Sequence, residues 1–365
     1  MEIRVKKDEL LTGVDIVSKA VKEKSPMPIL ECILFTVIDD EIRLMANDTE
    51  FSIETVIKGD IKETGMVAID AKTLTGLVKK LPNDDVLIIT DEKAAAIKCG
   101  KLKANVPVRD GSGFPAVPVV SRETAVKISQ FSLREIIRQT IFCSDDKKAN
   151  KMMGAELFNI SGNRLNVTAL DGCRIAFRSI ELKDSYEDRT AVIPSKALKD
   201  LSSIIPGGVN DEVEICFTDN HVLFGFDDTT VVARLVDGKY FDTEKMLNMN
   251  YSTQVKVNKR ELLESIDRST LFLSNIDKQP VVVDITGNTL EWKITSSHGS
   301  MTEDLDVSTS GNDLKIGFNP KFLMEALKAI DDEEVTLHLE SAKMPAAIKD
   351  DAESYVYFIL PVNFQ

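Results

Sequence analysis

The sequence predicts an α+β protein of three repeated domains, each made of two β-α-β-β-β half-units that lay two helices on antiparallel sheets. Three observations carry this. The phrases Lys7-Asp8-Glu9-Leu10-Leu11, Arg134-Glu135-Ile136-Ile137 and Arg260-Glu261-Leu262-Leu263 set Glu9, Glu135 and Glu261 126 residues apart. A second phrase recurs as Ile69-Asp70-Ala71-Lys72, Ile193-Pro194-Ser195-Lys196 and Phe318-Asn319-Pro320-Lys321. Each copy of it leads into the same helix-then-strands pattern. A fixed long period across 365 residues marks a chain of like units, which more often acts as a frame than through one catalytic pocket.

In the second half-units, helices are expected over 70–80, 195–201 and 319–330. Leu74, Leu77 and Leu81 stand at the same offsets from Lys72 as Leu198, Leu201 and Ile205 from Lys196, and as Leu323, Ala326 and Ile330 from Lys321. Those offsets make one face of a 3.6-residue helix. Pro82 and Pro206-Gly207-Gly208 are stop signals. Acidic turns at Asp84-Asp85, Asp211-Glu212 and Glu333-Glu334 then open the strands Val86–Ile89, Val213–Phe217 and Val335–Leu339. In the first half-units, helices over 8–22, 132–139 and 258–268 precede strands at Ile33–Phe35, Glu156–Phe158 and Val281–Val283. Turns at Asp39-Asp40, Gly162-Asn163 and Gly287-Asn288 lead to the next strands. Linker-like stretches place the domains at 1–120, 121–250 and 251–365.

Apolar content of 43% allows a core in each domain, and 28% charged residues is ordinary. The start, Met1-Glu2-Ile3-Arg4-Val5-Lys6-Lys7, has no apolar signal region, and no apolar run reaches membrane-spanning length. Cys32, Cys99, Cys143, Cys173 and Cys216 are odd in number and lack CxxC spacing, so free thiols in a reducing compartment are expected. Together these point to the cytoplasm, with no membrane partner. The net charge of −14 alone argues against nucleic acid. Summed over the six helices, however, charge is positive, so the strands and turns are strongly acidic. Helices facing one way would give a positive face able to attract phosphates without reading sequence.

With these residues in view, the chain resembles the bacterial sliding clamps, the beta subunits of DNA polymerase III. The phrases that carry the likeness are Pro28-Ile29-Leu30, Lys80-Leu81-Pro82, Gly113-Phe114-Pro115, Leu170-Asp171-Gly172-Cys173-Arg174-Ile175-Ala176 and Arg234-Leu235-Val236-Asp237-Gly238. Further ones are Leu273-Ser274-Asn275, Ile316-Gly317-Phe318-Asn319 and Leu360-Pro361-Val362. Their order runs the length of the chain. The resemblance implies a head-to-tail homodimer ring of the DNA clamp fold. Such a ring encircles double-stranded DNA and slides, and it raises polymerase processivity by effective concentration. It implies no cofactor and no catalysis.

The resemblance also implies three sets of site residues. Lys24, Lys72, Lys79, Lys80, Arg134, Arg138, Lys147, Lys148, Lys196 and Lys199 are expected at the DNA-lining face. A pocket for the hydrophobic motif of polymerase, clamp loader and repair proteins is expected from Met153, Leu170, Gly172, Cys173, Arg174, Ile175, Phe241, Lys245, Met246, Met344 and Ala346, with the tail Phe358, Ile359, Leu360, Pro361 and Val362. Adaptable methionines and apolar walls suit varied ligands, and Arg174 could donate to peptide carbonyls. Subunit contact is expected from an edge strand near Lys101–Val106, with Lys103, Ala104 and Val106, against Phe272 and Leu273. Many relatives carry Thr-Asp-Gly-His-Arg-Leu where Leu170–Ile175 stands, a Pro at Phe241 and a larger aromatic at Ala104. Peptide preference is therefore expected to differ, and dimer tightness stays open.

No GxGxxG after a strand, Walker loop, HExxH or GxSxG is present. His221, His298 and His338 are far apart, and acid pairs such as Asp39-Asp40, Asp145-Asp146, Asp227-Asp228 and Asp331-Asp332 sit in turn-like settings. Two other classes stay open from the residues: a hydrolase or transferase with an unrecognised site, and a repeat scaffold that binds only proteins.

Overall fold

A computed structural model describes residues 1–22, 24–247, 249–273, 280–352 and 354–364. Ser274 and Asn275, part of one phrase behind the family likeness, lie outside them.

The half-unit order predicted from sequence recurs six times. The first is β1 (Glu2–Lys6), α1 (Lys7–Val17), β2 (Cys32–Ile38), β3 (Glu41–Asn47) and β4 (Phe51–Ile57), followed by a short β5 (Asp60–Glu63). The second is β6 (Gly65–Asp70), α2 (Ala71–Lys80), β7 (Asp85–Thr90), β8 (Ala94–Cys99) and β9 (Leu102–Asp110). The third is β10 (Val126–Ser129), α3 (Gln130–Arg138), β11 (Ala155–Leu170) and β12 (Arg174–Pro194). The end of β12 also opens the fourth, which continues with α4 (Ser195–Ile204), β13 (Glu212–Phe217), β14 (His221–Phe226) and β15 (Thr229–Arg234). After α5 (Glu244–Leu247) comes the fifth: β16 (Thr253–Asn258), α6 (Lys259–Ser269), β17 (Val281–Thr286), β18 (Thr289–Ser296) and β19 (Gly299–Asp306), with β20 (Ser308–Ser310). The sixth is β21 (Leu314–Phe318), α7 (Pro320–Ala329), β22 (Glu334–Leu339), β23 (Ala346–Lys349) and β24 (Tyr355–Ile359).

The recurring second phrase has a local cause. Asp70 accepts the Thr73 N–H at 2.8 Å and Asn319 accepts the Lys321 N–H at 3.0 Å, with Pro320 in the first turn. It is a helix-capping sequence, which satisfies amides the helix cannot. The turn signals hold too: Asp39, Gly162 and Gly287 take left-handed φ of 53°, 55° and 55° at corresponding places in the three domains. The first helix is shorter than expected. It ends at Val17, where Ser18 Oγ bonds back to Val14 O at 2.6 Å, and only a 3₁₀ turn over Ser18–Ala20 follows. Back-bonding of this kind competes with the helical ladder.

The chain divides into two compact units: Met1–Leu133 with Asp200–Leu235, and Arg134–Lys199 with Val236–Gln365. The first holds a 13-stranded sheet in the order β10-β13-β14-β15-β4-β3-β2-β6-β9-β8-β7-β1-β5. The second holds a seven-stranded sheet, β11-β12-β24-β23-β22-β16-β20, and a four-stranded sheet, β19-β18-β17-β21. Sheets thus run across the expected boundaries at 120 and 250, through the antiparallel pairs β15–β4 and β12–β24. In the second unit, Trp292, Phe318, Leu323 and Leu337 sit in one core, and Leu170, Ile175, Tyr240 and Phe358 in a smaller satellite. No described helix is long and apolar enough to cross a membrane.

Candidate functional site

The turn joining β11 to β12 builds the main site. Asp171 Oδ1 accepts the N–H groups of Cys173 and Arg174 at 2.9 and 3.1 Å. Gly172 has φ of 88°, a left-handed conformation that glycine adopts without strain. A Cβ there would stand 3.3 Å from Met153 Cε. Beside the turn, β24 pairs with β12, and the Leu360 N–H reaches Cys173 O at 2.9 Å.

Strand alternation sorts the tail. Val356 and Phe358 face the satellite cluster, whereas Tyr355, Tyr357 and Ile359 face the larger core. Successive strand residues point to opposite faces. The same parity puts Ala347 with the satellite and Ala346 with the larger core.

The result is a cavity of about 290 Å³ lined by Met153, Leu170, Gly172, Cys173, Arg174, Ile175, Phe241, Met246, Phe358 and Leu360. Asp242 and Thr243 also line it; sequence reasoning missed both, although they directly follow Phe241. The other expected pocket residues lie elsewhere. Ile359 and Ala346 are core, by the parity just given. Val362 donates its N–H to Gly317 O at 2.8 Å, drawing Pro361 and Val362 along β21. Met344 is exposed in the turn after β22, and Lys245 is exposed on α5.

Arg174, expected to donate to peptide carbonyls, is tied within the protein through each of its three nitrogens. Its Nε donates to Asp171 Oδ2 at 2.8 Å, its Nη2 to Phe142 O at 2.6 Å, and its Nη1 to Glu325. The guanidinium also lies 4.3 Å from the Phe322 ring centroid. These bonds and rings fix it as a tie beneath the pocket. Asp331 and Asp332 are likewise more than solvated turn residues, since Arg138 donates to Asp331 at 2.8 Å and the Tyr355 hydroxyl to Asp332 at 2.7 Å.

Behind the pocket, Glu156 is fully buried, and burial pushes its carboxyl up to about 8. Tyr240, whose hydroxyl donates to Ala155 O at 3.1 Å, is pushed well above the usual phenol range, chiefly by burial.

Three of the expected DNA residues meet in the other unit. Lys24, Lys72 and Lys79 line one groove of about 590 Å³ with Ser18, Thr75 and Gly76. Lys24 has φ of 56°, and Lys79 is 3.1 Å from Asp15. Lys80 is exposed at the end of α2. Arg134, Lys147, Lys148, Lys196 and Lys199 are exposed. Arg138 is held by Glu135 and Asp331 at 2.6 and 2.8 Å, which leaves its charge largely compensated.

The expected subunit-contact residues lie on two strand edges. Over Leu102–Pro107, β9 pairs only with β8 among the described residues. Lys103 is exposed, Ala104 half-buried and Val106 buried. The second edge, β19, pairs only with β18 among the described residues. Phe272 packs beside its start, where a Cβ on Gly299 would stand 3.2 Å away; Leu273 is half-buried next to it.

Comparison with known proteins decides the family. Profiles of the N-terminal, central and C-terminal domains of the DNA polymerase III beta subunit match residues 1–118, 127–242 and 244–363. The beta sliding clamp of Staphylococcus aureus is 31% identical over 100% of this chain and 99% of its own. The chain belongs to the family of DNA polymerase III beta subunits, the beta sliding clamps. A solved chain from Eubacterium rectale, assigned as a DNA polymerase III beta subunit, is 48% identical with a TM-score of 0.96, both chains being fully covered. The DNA polymerase sliding clamp of Bacillus subtilis is 28% identical, also with a TM-score of 0.96 and full coverage. Clamps of this family are processivity factors without catalysis of their own, and their partners are DNA and polymerase. The three histidines stand apart on β14, in the β18–β19 turn and on β22. Among the described residues, no group of three His, Cys, Asp or Glu side chains could hold a metal ion.

Proposed function

We propose that this clamp closes head to tail from two copies, encircles duplex DNA without reading its sequence, and holds the replicative polymerase, clamp loader and repair proteins through the pocket at the β11–β12 turn. Its three domains follow the boundaries at 120 and 250.

The observation that carries ring closure is an unfilled place in a repeated pairing rule. The last strand of an even half-unit pairs antiparallel with the strand that closes the run after the helix of an odd one. Thr229 of β15 lies opposite Thr55 of β4, and Tyr355 of β24 opposite Arg178 of β12. The remaining even strand is β9 and the remaining odd strand is β19, and both have an edge left open by the described residues. An open edge is a template for another chain. The ends also match in charge, with Lys101 in the turn before β9 and Lys103 on β9, and Glu303, Asp304 and Asp306 on β19.

Register follows from the same rule. Leu102, across the hairpin from Cys99, stands where Thr229 stands across from Phe226. Glu303, opposite Trp292, stands where Thr55 stands opposite Leu44. Thr229 faces Thr55, so Leu102 faces Glu303. Ala104 of one copy then faces Met301 of the other, and Lys101 faces Asp304.

The test joins both ideas. In a Cys173→Ser background, the pair Ala104→Cys and Met301→Cys is expected to oxidise into a covalent dimer, since directly opposed residues meet disulfide geometry. The pair Ala104→Cys and Thr302→Cys is not. Loaded on nicked circular DNA and then oxidised, the closed ring should remain on the circle and leave once the DNA is linearised. No cross-link, cross-linking of both pairs alike, or retention on free-ended DNA would each defeat the reading.

For the pocket, Met246→Asp is expected to weaken a clamp-motif peptide by roughly a hundredfold while the dimer persists in sedimentation. Met344 lies outside the wall, so Met344→Asp should change affinity little. The reverse pattern would move the site.

A further inference from the structure

The linker that follows the middle domain has a counterpart after the first. Leu102 of β9 matches Thr229 of β15, so Asp110-Gly111 matches Asp237-Gly238 and Phe114 matches Phe241. The packing agrees. A Cβ on Gly238 would stand 2.6 Å from Met152 Cε, and one on Gly111 2.5 Å from Met66 Cγ. In both places a glycine presses the linker onto a methionine, and a phenylalanine three residues on becomes a pocket wall.

In the first domain this wall bounds a groove of about 770 Å³. Its floor is the outward side of the sheet, with Leu34, Met45 and Met66, and its wall runs from Phe114 to Val117. An open face of an antiparallel sheet is usually polar. Here Ile38 and Met66 are 53% and 42% exposed. The rim carries Asp39, Asp40, Glu41 and Glu54, with Arg43 as the one cation lining it. That arginine is already held, between Glu41 and Glu54. Asp39 and Asp40 make no ion pair among the described residues.

We propose that this groove is a second docking site, for a short partner peptide whose apolar side chains are flanked by lysine or arginine. The floor and Phe114 give the apolar anchors a place out of water. The rim selects the flanks by charge and speeds encounter with basic segments. The first-domain groove and the middle-domain pocket would then read different peptides: the pocket is small and apolar, whereas the groove is wider and acidic at its edge.

The test uses the full chain and two fluorescein-labelled peptides with a Leu-Phe-Leu centre, one flanked by two lysines at each end and the other by two glutamates. Anisotropy is expected to show binding of the lysine peptide only, weakened by salt. Met66→Lys should reduce that affinity roughly tenfold or more and leave clamp-motif peptide binding unchanged. Asp40→Lys with Glu41→Lys, which leaves the apolar floor intact, should do the same. Met246→Asp, in the other pocket, should leave the lysine peptide unaffected. The proposal is overturned by no binding at millimolar peptide, by equal binding of both peptides, by indifference to both groove variants, or by loss on Met246→Asp.

Discussion

Replacing Arg174 with alanine is expected to destabilise the unit that holds the proposed peptide pocket by about 3–5 kcal/mol, the usual cost of stripping one partner from a buried ion pair. The side chains of Arg174 and Asp171 are only 10% and 9% exposed. Without the guanidinium, Asp171 keeps its two backbone donors but loses its cation. Phe142 O and Glu325 lose a shared donor at the same step, and the Phe322 face loses the charge stacked on it. Arg174→Lys should recover only a minor part, because an ammonium's donors share one nitrogen and cannot span three separated acceptors as the planar guanidinium fork does. Urea unfolding followed by Trp292 fluorescence reads this directly. It is the single tryptophan, and it is 1% exposed in the core of the same unit. A loss below about 1 kcal/mol for the alanine variant would show that the network is incidental. Peptide affinity should fall with stability, since the turn at Asp171–Cys173 forms part of the pocket wall.

The second large effect is a pH dependence centred on Glu156. Burial raises its carboxyl from 4.5 to about 8. Burial wins over two weaker opposing effects: the Thr140 hydroxyl donates to Glu156 Oε2 at 2.8 Å, and the charge of Lys199 also favours the carboxylate. Between pH 4.5 and 8 the folded chain therefore binds more protons at this site than the unfolded chain, and stability falls as pH rises. The contribution is full below 4.5 and is lost by the time the pH passes about 8, a swing on the order of a few kcal/mol. Glu156→Gln, whose amide oxygen can accept from Thr140 in the carboxyl's place, should be as stable as the parent near pH 5 and more stable at pH 8.5. Parallel stability–pH curves for the two proteins would refute the assignment.

The repeat was legible because each copy needs the same local devices. Helix caps at Asp70 and Asn319 and left-handed turns at Asp39, Gly162 and Gly287 are short-range, and they sit in the sequence at the repeat spacing. Eight of the nine apolar helix positions read from periodicity are buried, with Leu77 half-buried. Most residues lining the cavity at the β11–β12 turn were named through family likeness, yet the cavity's boundary was not. Ala346 and Ile359 fall one residue out of phase with the wall, and parity is visible only once the strands are registered. The commitment of Arg174 to Phe142 and Glu325 joins positions far apart in the chain, which no local pattern announces. The sheets that cross the 120 and 250 boundaries were invisible for the same reason: linker composition reports where the chain is exposed, not which strand edges meet.

Those crossing sheets separate the unit of inheritance from the unit of packing. The central-domain profile spans residues 127–242, but the halves of that stretch belong to different compact units. Its Thr229–Ala233 edge is covered by β4 and its Arg174–Arg178 edge by β24. Excised at its profile limits, the middle domain would carry two bare strand edges into solvent, each a template for self-association. The clamp's modules can be traced one by one in sequence, but they cannot be dissected one by one at the bench.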